Sequence, residues 1–348
     1  MTDNQWIDIK KIINGKVLSP LPVGFIIDSP WLPNWSGIDI IDYFSNDDLW
    51  LKANIKAIET FPDTIFFPGF WSEFGMCSEP SAFGARCSFP RNEFPHVHKS
   101  IYSVEEIDRI VKPNPATDGF GPFLLNRLLL NKPFIEGIGH KIRFSISRGP
   151  LNIASYLMGT SEFLLNMMLY PEKIHKLLGL ITDYLVDWHE LQRETFPSID
   201  GIMLLDDIIG FVGENEFQEF VFPYLKRLYS SDVSVKYLHN DAECGASLKY
   251  LPELGINILN MGFNTSLNAL KKQTNNKVVM MGNIPPRDVL AIGSRKDIVE
   301  SVDKLMGDLE DNSMVIFSCG GGMPPDVSTN NIRIFQEAVN SFNGGKAH

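Results

Sequence analysis

Short apolar runs recur along this chain with helical patterns between them, and that alternation constrains the fold more than any other feature. The runs are Pro22–Ile27, Thr64–Phe67, Lys141–Ile146, Gly201–Leu205, Val233–Leu238, Asn257–Met261, Lys277–Met281 and Met314–Phe317. Each has the length of a buried strand, about 4–8 residues. Helical spacers lie at Ser161–Phe196, Glu214–Tyr229, Ser247–Leu254, Ser266–Gln273, Lys296–Leu309 and Val327–Phe342. Pro171 opens a fresh helix within the first of these, since proline is tolerated in a first turn. Lys226 and Arg227 suit a helix C-terminus, and Gly255 suits a stop. Eight strands alternating with helices in 348 residues predict a single (β/α)8 TIM barrel of the α/β class. A doubly wound open sheet is the alternative, but no Gly-x-Gly-x-x-Gly fingerprint follows any of the runs.

Two segments depart from the alternation. Residues 1–20 read as an N-terminal extension. Residues 68–140, rich in Pro, Phe and Gly, read as an insertion after the second strand, a lid over the barrel mouth. Loops of this length are usually functional or disordered, and the aromatic content favours order.

The formal net charge of −11 and the lack of a Lys/Arg cluster argue against a nucleic-acid partner. No apolar run is long enough to cross a membrane. The N-terminus lacks a basic segment followed by an apolar core, so a cytoplasmic location is expected. Four cysteines, Cys77, Cys87, Cys244 and Cys319, are too few for a disulfide framework.

In a barrel, chemistry belongs at the C-terminal ends of the strands. The fourth run ends in Asp206-Asp207, and the fifth in His239-Asn-Asp241 with Cys244 just beyond. The seventh ends in Gly282-Asn283, and the eighth in Cys319 followed by Gly320, Gly321 and Gly322. His239, Cys319 and either Asp241 or Cys244 suit zinc, and three protein ligands leave the open position that catalytic zinc sites keep. The plainer readings are that an aspartate caps a following helix, that His239 is a satisfied polar residue, and that Asn283 serves the turn before Pro285-Pro286. In the long insertion, Glu73 and Glu79 stand among aromatics, where a carboxylate can have a raised pKa or hold a cation. Phe74, Met76 and Phe83 read as apolar wall. Arg86, Arg91 and Arg148 are candidates to bind a carboxylate substrate.

Several stretches resemble the uroporphyrinogen decarboxylase superfamily. They are Arg148-Gly-Pro-Leu-Asn-Ile-Ala-Ser-Tyr-Leu-Met-Gly159, Tyr170-Pro-Glu172, Gly201-Ile-Met-Leu-Leu-Asp206-Asp207, Phe220-Val-Phe-Pro-Tyr224, Gly282-Asn-Ile-Pro-Pro286 and Ser318-Cys319-Gly-Gly-Gly-Met-Pro-Pro-Asp326. The resemblance spans Pro22 to Phe342 and implies the barrel, but not the reaction. Two departures argue against porphyrinogen decarboxylation. The arginine-rich Arg-Gln-Ala-Gly-Arg motif is absent, Phe70 to Cys77 standing in its place. Cys319 stands where the decarboxylase has Gly-His-Gly.

The superfamily's corrinoid-dependent methyltransferases often bind zinc through His-x-Cys and a later Cys-Gly. His239 and Cys319-Gly320 match that pattern, whereas Asp241 takes the middle position and Cys244 is displaced. The resemblance thus implies a methyltransferase moving a methyl group between a small methylated substrate or acceptor and cobalamin on a separate corrinoid protein, with Zn2+ at the mouth. The Asp-x-His-x-x-Gly loop of many cobalamin-binding domains is absent from this chain. In this reading Glu73, Glu79 and Asp206 or Asp207 position or protonate the substrate, and Asn283, Gly320 and Gly321 contact the cofactor. A metal-free decarboxylase-like enzyme using Asp206 or Asp207 with Tyr156 is the first alternative. A non-catalytic barrel that binds a tetrapyrrole or corrinoid partner is the second. A homodimer is compatible with each.

Overall fold

The computed structural model describes residues 1–27 and 30–342. Eight parallel strands form one curled sheet. They are β1 (Val23–Ile26), β2 (Thr64–Phe67), β3 (Phe144–Arg148), β4 (Gly201–Leu205), β5 (Val235–Asn240), β6 (Ile258–Met261), β7 (Val279–Ile284) and β8 (Val315–Cys319). Going round the sheet the order is β2-β1-β8-β7-β6-β5-β4-β3, the order of a (β/α)8 barrel. Side chains alternate between the inside of the barrel and the surrounding helices. The inside carries Ile26, Ile65, Phe67, Phe144, Met203, Tyr237, Met281 and Ile316, packed separately from the larger outer core.

Thr64–Phe67 and Gly201–Leu205 match their sequence runs residue for residue. β1 and β6 fall short of their runs by a residue or two, whereas other strands reach further. β5 takes in His239 and Asn240, β7 takes in Asn283, and β8 takes in Cys319, while β3 begins at Phe144 and ends at Arg148. The helical stretch read over Ser247–Leu254 is only a short 3-10 turn at Leu248–Tyr250 with further turns after it. The stretch read over Glu214–Tyr229 widens to a π-type segment at Phe217–Val221, just before Pro223.

The ring has one joint without strand pairing, between β2 and β3. Phe67 and Phe144 meet across it with ring centroids 6.3 Å apart. On the outside, the long helix Pro171–Thr195 supplies side chains that bond to the unpaired backbone of β3. Gln192 Nε2 and Trp188 Nε1 each donate to Ile146 O at 3.1 Å, and Gln192 Oε1 accepts from Ile146 N at 2.9 Å.

Residues 1–20 include the helix Asp3–Ile13, which opens on a capping box of Thr2 and Gln5. Its Trp6 packs edge-on against Phe144 at 5.2 Å, covering the N-terminal end of the barrel. The long segment between β2 and β3 holds a 3-10 turn at Pro80–Phe83, a two-residue hairpin pairing Cys87 with Val97, and the helix Gly121–Gly137. That helix buries Leu124, Leu125, Leu128 and Ile135. No helix among the described residues is long and apolar enough to cross a membrane.

Candidate active site

Parallel register brings His239 on β5 level with Asn260 on β6 and Leu205 on β4. Asn260 Nδ2 donates to Met281 O at 2.8 Å, which turns its Oδ1 toward His239. His239 Nδ1 donates to that oxygen at 2.7 Å, so Nε2 is the nitrogen left for the mouth. Nε2 lies 3.4 Å from Asp241 Oδ1 and 3.9 Å from Asp207 Oδ1. Asp207 Oδ1 accepts from Asp241 N at 2.9 Å, and its Oδ2 accepts from Asn152 Nδ2 at 3.3 Å. One donor atom from each of Asp207, His239 and Asp241 falls within 4.8 Å of the others. Burial opposes a proton on His239, but Asp241, Asp207 and the bond to Asn260 together outweigh it, and its pKa is raised. Burial raises the Asp241 carboxyl as well, with His239 pulling it back.

The glycines after β8 make room for this group. Gly321 has φ +74°, and a Cβ there would lie 2.1 Å from Asp241 Oδ1. A Cβ at Gly320 would press on the backbone of Gly262 and Phe263 at 3.0 Å. The amide of Gly322 bonds the Asp241 carboxylate. Gly320 and Gly321, expected to contact a cofactor, therefore let the loop lie directly on Asp241 and on the loop after β6.

Asp206 and Asp207 diverge. Asp206 is fully buried and turns to the helix Pro150–Met158, accepting from Leu151 N at 2.9 Å and Asn152 N at 3.0 Å. Burial pushes its carboxyl well above the ordinary range, against the pull of the Leu151 amide. A Cβ at Gly149 would meet Asp206 Oδ2 at 2.2 Å, which accounts for glycine between Arg148 and Pro150. Only Asp207 faces the mouth.

Arg148 ends β3 and is buried. Its guanidinium meets Glu73 Oε2 at 3.2 Å and Glu79 Oε2 at 3.5 Å, and Glu79 Oε1 accepts from Arg148 N at 3.1 Å. Both glutamates are buried, so the start of the long segment after β2 is tied to the mouth by an ion pair shielded from water. Tyr156 lies within electrostatic reach of Arg148, Asp207, Asp206 and Glu79. Burial pushes its phenol up to about 12, and it keeps its proton at neutral pH.

Neither thiol, Cys244 or Cys319, is among the three donors that fall within 4.8 Å of one another. Cys244 is buried, with Sγ 3.5 Å from Ala242 O, and burial pushes its pKa up to about 12. Cys319 is fully buried at the end of β8, with Sγ 3.7 Å from Gly321 O. Asn283 Nδ2 donates to Thr265 O at 2.7 Å and Gly262 O at 3.2 Å, pinning the loop after β6. Asn260 and Asn152 orient the site yet were not singled out from sequence. The available signal was a polar residue breaking an apolar strand run, as Asn260 does.

The family model described as uroporphyrinogen decarboxylase (URO-D) matches residues 11–342. A uroporphyrinogen decarboxylase of Chloroherpeton thalassium is 25% identical over 282 residues, covering 76% of this chain and 76% of its own. That of Thermodesulfovibrio yellowstonii is 24% identical over 267 residues, covering 75% of each. Among solved structures, a methyltransferase from Methanosarcina mazei superposes with a TM-score of 0.80 at 17% identity, over 97% of this chain and 98% of its own. At that identity the likeness concerns the fold alone.

Proposed function

The chain belongs to the uroporphyrinogen decarboxylase family, and from that premise we propose that it is a methyltransferase. It moves a methyl group between a small substrate or acceptor and a corrinoid carried by a separate protein, with a divalent metal, zinc in the first instance, at the barrel mouth. The observation that carries this reading is the grouping of Asp207, His239 and Asp241 within 4.8 Å at the ends of two neighbouring strands. One imidazole nitrogen with its tautomer set by Asn260, and two carboxylates, form a fitting donor set for zinc or a similar divalent ion. Such an ion would supply Lewis acidity, lowering the cost of negative charge on a substrate heteroatom or acceptor thiol.

The chain's own groups do the rest. His239 presents Nε2 and is held from behind by Asn260. Tyr156 holds a proton that it can share with a substrate atom. Arg148, fixed by Glu73 and Glu79, holds a positive charge beside Tyr156 and His239, where it opposes a proton on each.

The decarboxylase reading draws on the names of the sequence relatives. A polycarboxylate substrate needs uncompensated positive charge, and here the mouth arginine is already matched by two buried glutamates. The metal-centred reading is therefore favoured.

Metal analysis of chelator-free protein tests it, together with methyl transfer to cob(I)alamin followed by its visible spectrum. About one divalent ion per chain, lost in His239→Ala, is expected, since structural affinity resides in deprotonated ligands. Full metal retention in that variant would sink the site, and Cys319→Ala shows separately whether the neighbouring thiol takes part.

A further inference from the structure

The chain after Phe74 turns back on itself and brings two cysteines together. Ser81 N donates to Cys77 O at 3.2 Å, leading into the 3-10 turn Pro80–Phe83, and Gly84 reverses the chain at φ +79°. Ala85 N closes the reversal on Pro80 O at 3.2 Å. Cys87 then enters the two-residue hairpin opposite Val97. The loop of that hairpin packs on the residues just before Cys77. Phe89 meets Phe74 edge-on with ring centroids 6.2 Å apart, and a Cβ at Gly75 would lie 3.0 Å from the Pro95 ring. Held in this way, the side chains of Cys77 and Cys87 meet, thiol to thiol, in a hydrogen bond. Cys77 is fully buried, whereas Cys87 is partly exposed.

We propose that Cys77 and Cys87 form a redox modification site, which a small-molecule disulfide such as oxidised glutathione converts to an intramolecular disulfide and a small thiol converts back. Exposure assigns the order of events. A thiolate is the attacking species, and a reagent must be able to reach it. Cys87 is the one within reach, and the bond from Cys77 holds its thiol below the ordinary range. The same bond and burial push the Cys77 thiol up, so Cys77 keeps its proton while Cys87 is free. An accessible low-pKa cysteine beside a resolving one is the arrangement found at redox-sensing sites.

In the first step Cys87 Sγ attacks one sulfur of the small disulfide, whose S–S bond breaks. One glutathione leaves as a thiolate and takes up the proton that Cys87 lost. In the second step Cys77 Sγ attacks Cys87 Sγ. The mixed disulfide breaks, and the second glutathione leaves with the proton from Cys77. Two protein thiols lose two electrons, and one small disulfide becomes two thiols. Once Cys87 is capped it no longer draws on the Cys77 proton, and the nearby Arg148 charge favours the Cys77 thiolate.

The other two cysteines are poorly placed for this chemistry. Cys244 is buried with its pKa pushed up to about 12, and Cys319 is fully buried at the end of β8. The new bond closes a loop that contains Glu79, whose carboxylate accepts from Arg148 N at 3.1 Å. It therefore staples the lid segment beside the ion pair at the barrel mouth.

The test uses the full chain, reduced and then equilibrated in glutathione mixtures from fully reduced to fully oxidised. Remaining thiols are alkylated under denaturing conditions and the protein is weighed and digested with trypsin. The expected product has lost the mass of two hydrogens and two of its four thiols. Tryptic peptides 57–86 and 87–91 should be joined, since Arg86 lies between the two cysteines, and dithiothreitol should separate them. Cys77→Ser should stop at a glutathione adduct on Cys87, and Cys87→Ser should form neither the adduct nor the bond. The peptide map of the wild type stands by itself should either variant fail to fold. Four alkylated thiols after full oxidation would overturn the proposal. So would a bond joining any other pair, or a glutathione adduct on wild-type Cys87 that never resolves to the internal disulfide.

Discussion

Gln192 stands in for a missing strand at Ile146. Its side-chain amide accepts from Ile146 N at 2.9 Å and donates to Ile146 O at 3.1 Å, the two bonds that a neighbouring strand would have made. An edge strand with bare backbone in a buried joint would leave both groups unsatisfied. Replacing Gln192 by Leu strands the Ile146 amide while Ile146 O keeps its bond from Trp188 Nε1, and is expected to lower stability by about 1–3 kcal/mol, the usual cost of one unsatisfied buried donor. Urea denaturation checks this, and a loss below about 0.5 kcal/mol, the scale of an ordinary surface change, would show that water or a shift of β3 replaces the amide.

Asp206 is expected to behave as a structural cap. Asp206→Ala strands the amides of Leu151 and Asn152 in a buried place and is expected to cost about 2–3 kcal/mol. Gly149→Ala, which drives a methyl into the same carboxylate, is expected to be similarly damaging. Asp207→Asn, by contrast, is expected to leave the melting temperature nearly unchanged while removing metal binding. Measuring melting and metal content on the same three variants separates the two roles.

His189 predicts how stability depends on pH. Its ring is buried between Ser145 Oγ at 2.8 Å and Ser147 Oγ at 2.9 Å, and burial lowers its pKa from 6.5 to about 3. The folded ring stays neutral in the interval where the unfolded ring gains a proton. Its stabilisation is therefore complete above pH 6.5 and is lost progressively as the pH falls toward 3. Between pH 7 and pH 5 the loss from this residue is about 2 kcal/mol. Denaturation at the two pH values should show it, and His189→Asn should flatten that part of the slope.

Arg148 is expected to matter more for folding than a surface arginine would. Arg148→Met leaves Glu73 and Glu79 buried without their cation and is expected to cost about 3–5 kcal/mol. Adding Glu73→Gln and Glu79→Gln should recover much of that loss. A triple variant no more stable than the single one would mean that the guanidinium works by packing rather than by charge.

The position of a site on the barrel rim was legible from sequence, because apolar strand runs stop at their polar ends and those ends share one mouth. The extent of the strands was less so. His239, Asn240, Asn283 and Cys319 look like loop residues by polarity, yet strand pairing continues through them. The division of labour between Asp206 and Asp207 was not legible, since the partners of Asp206 lie 54 and 55 residues away on another helix. The pairing of Arg148 with Glu73 and Glu79 crosses about 70 residues of sequence and depends on how the segment after β2 folds back, which no local pattern encodes.

The bond from the Gly322 amide to the Asp241 carboxylate has a spectroscopic use. An amide proton held by a carboxylate shifts when that carboxylate changes partner, and glycine amides resonate in a sparsely occupied region of the nitrogen spectrum. The chain thus has a native probe for whatever reaches Asp241. Titrating zinc, a methyl acceptor or a corrinoid protein against that one resonance would order their arrivals at the mouth without any label beyond isotopic nitrogen.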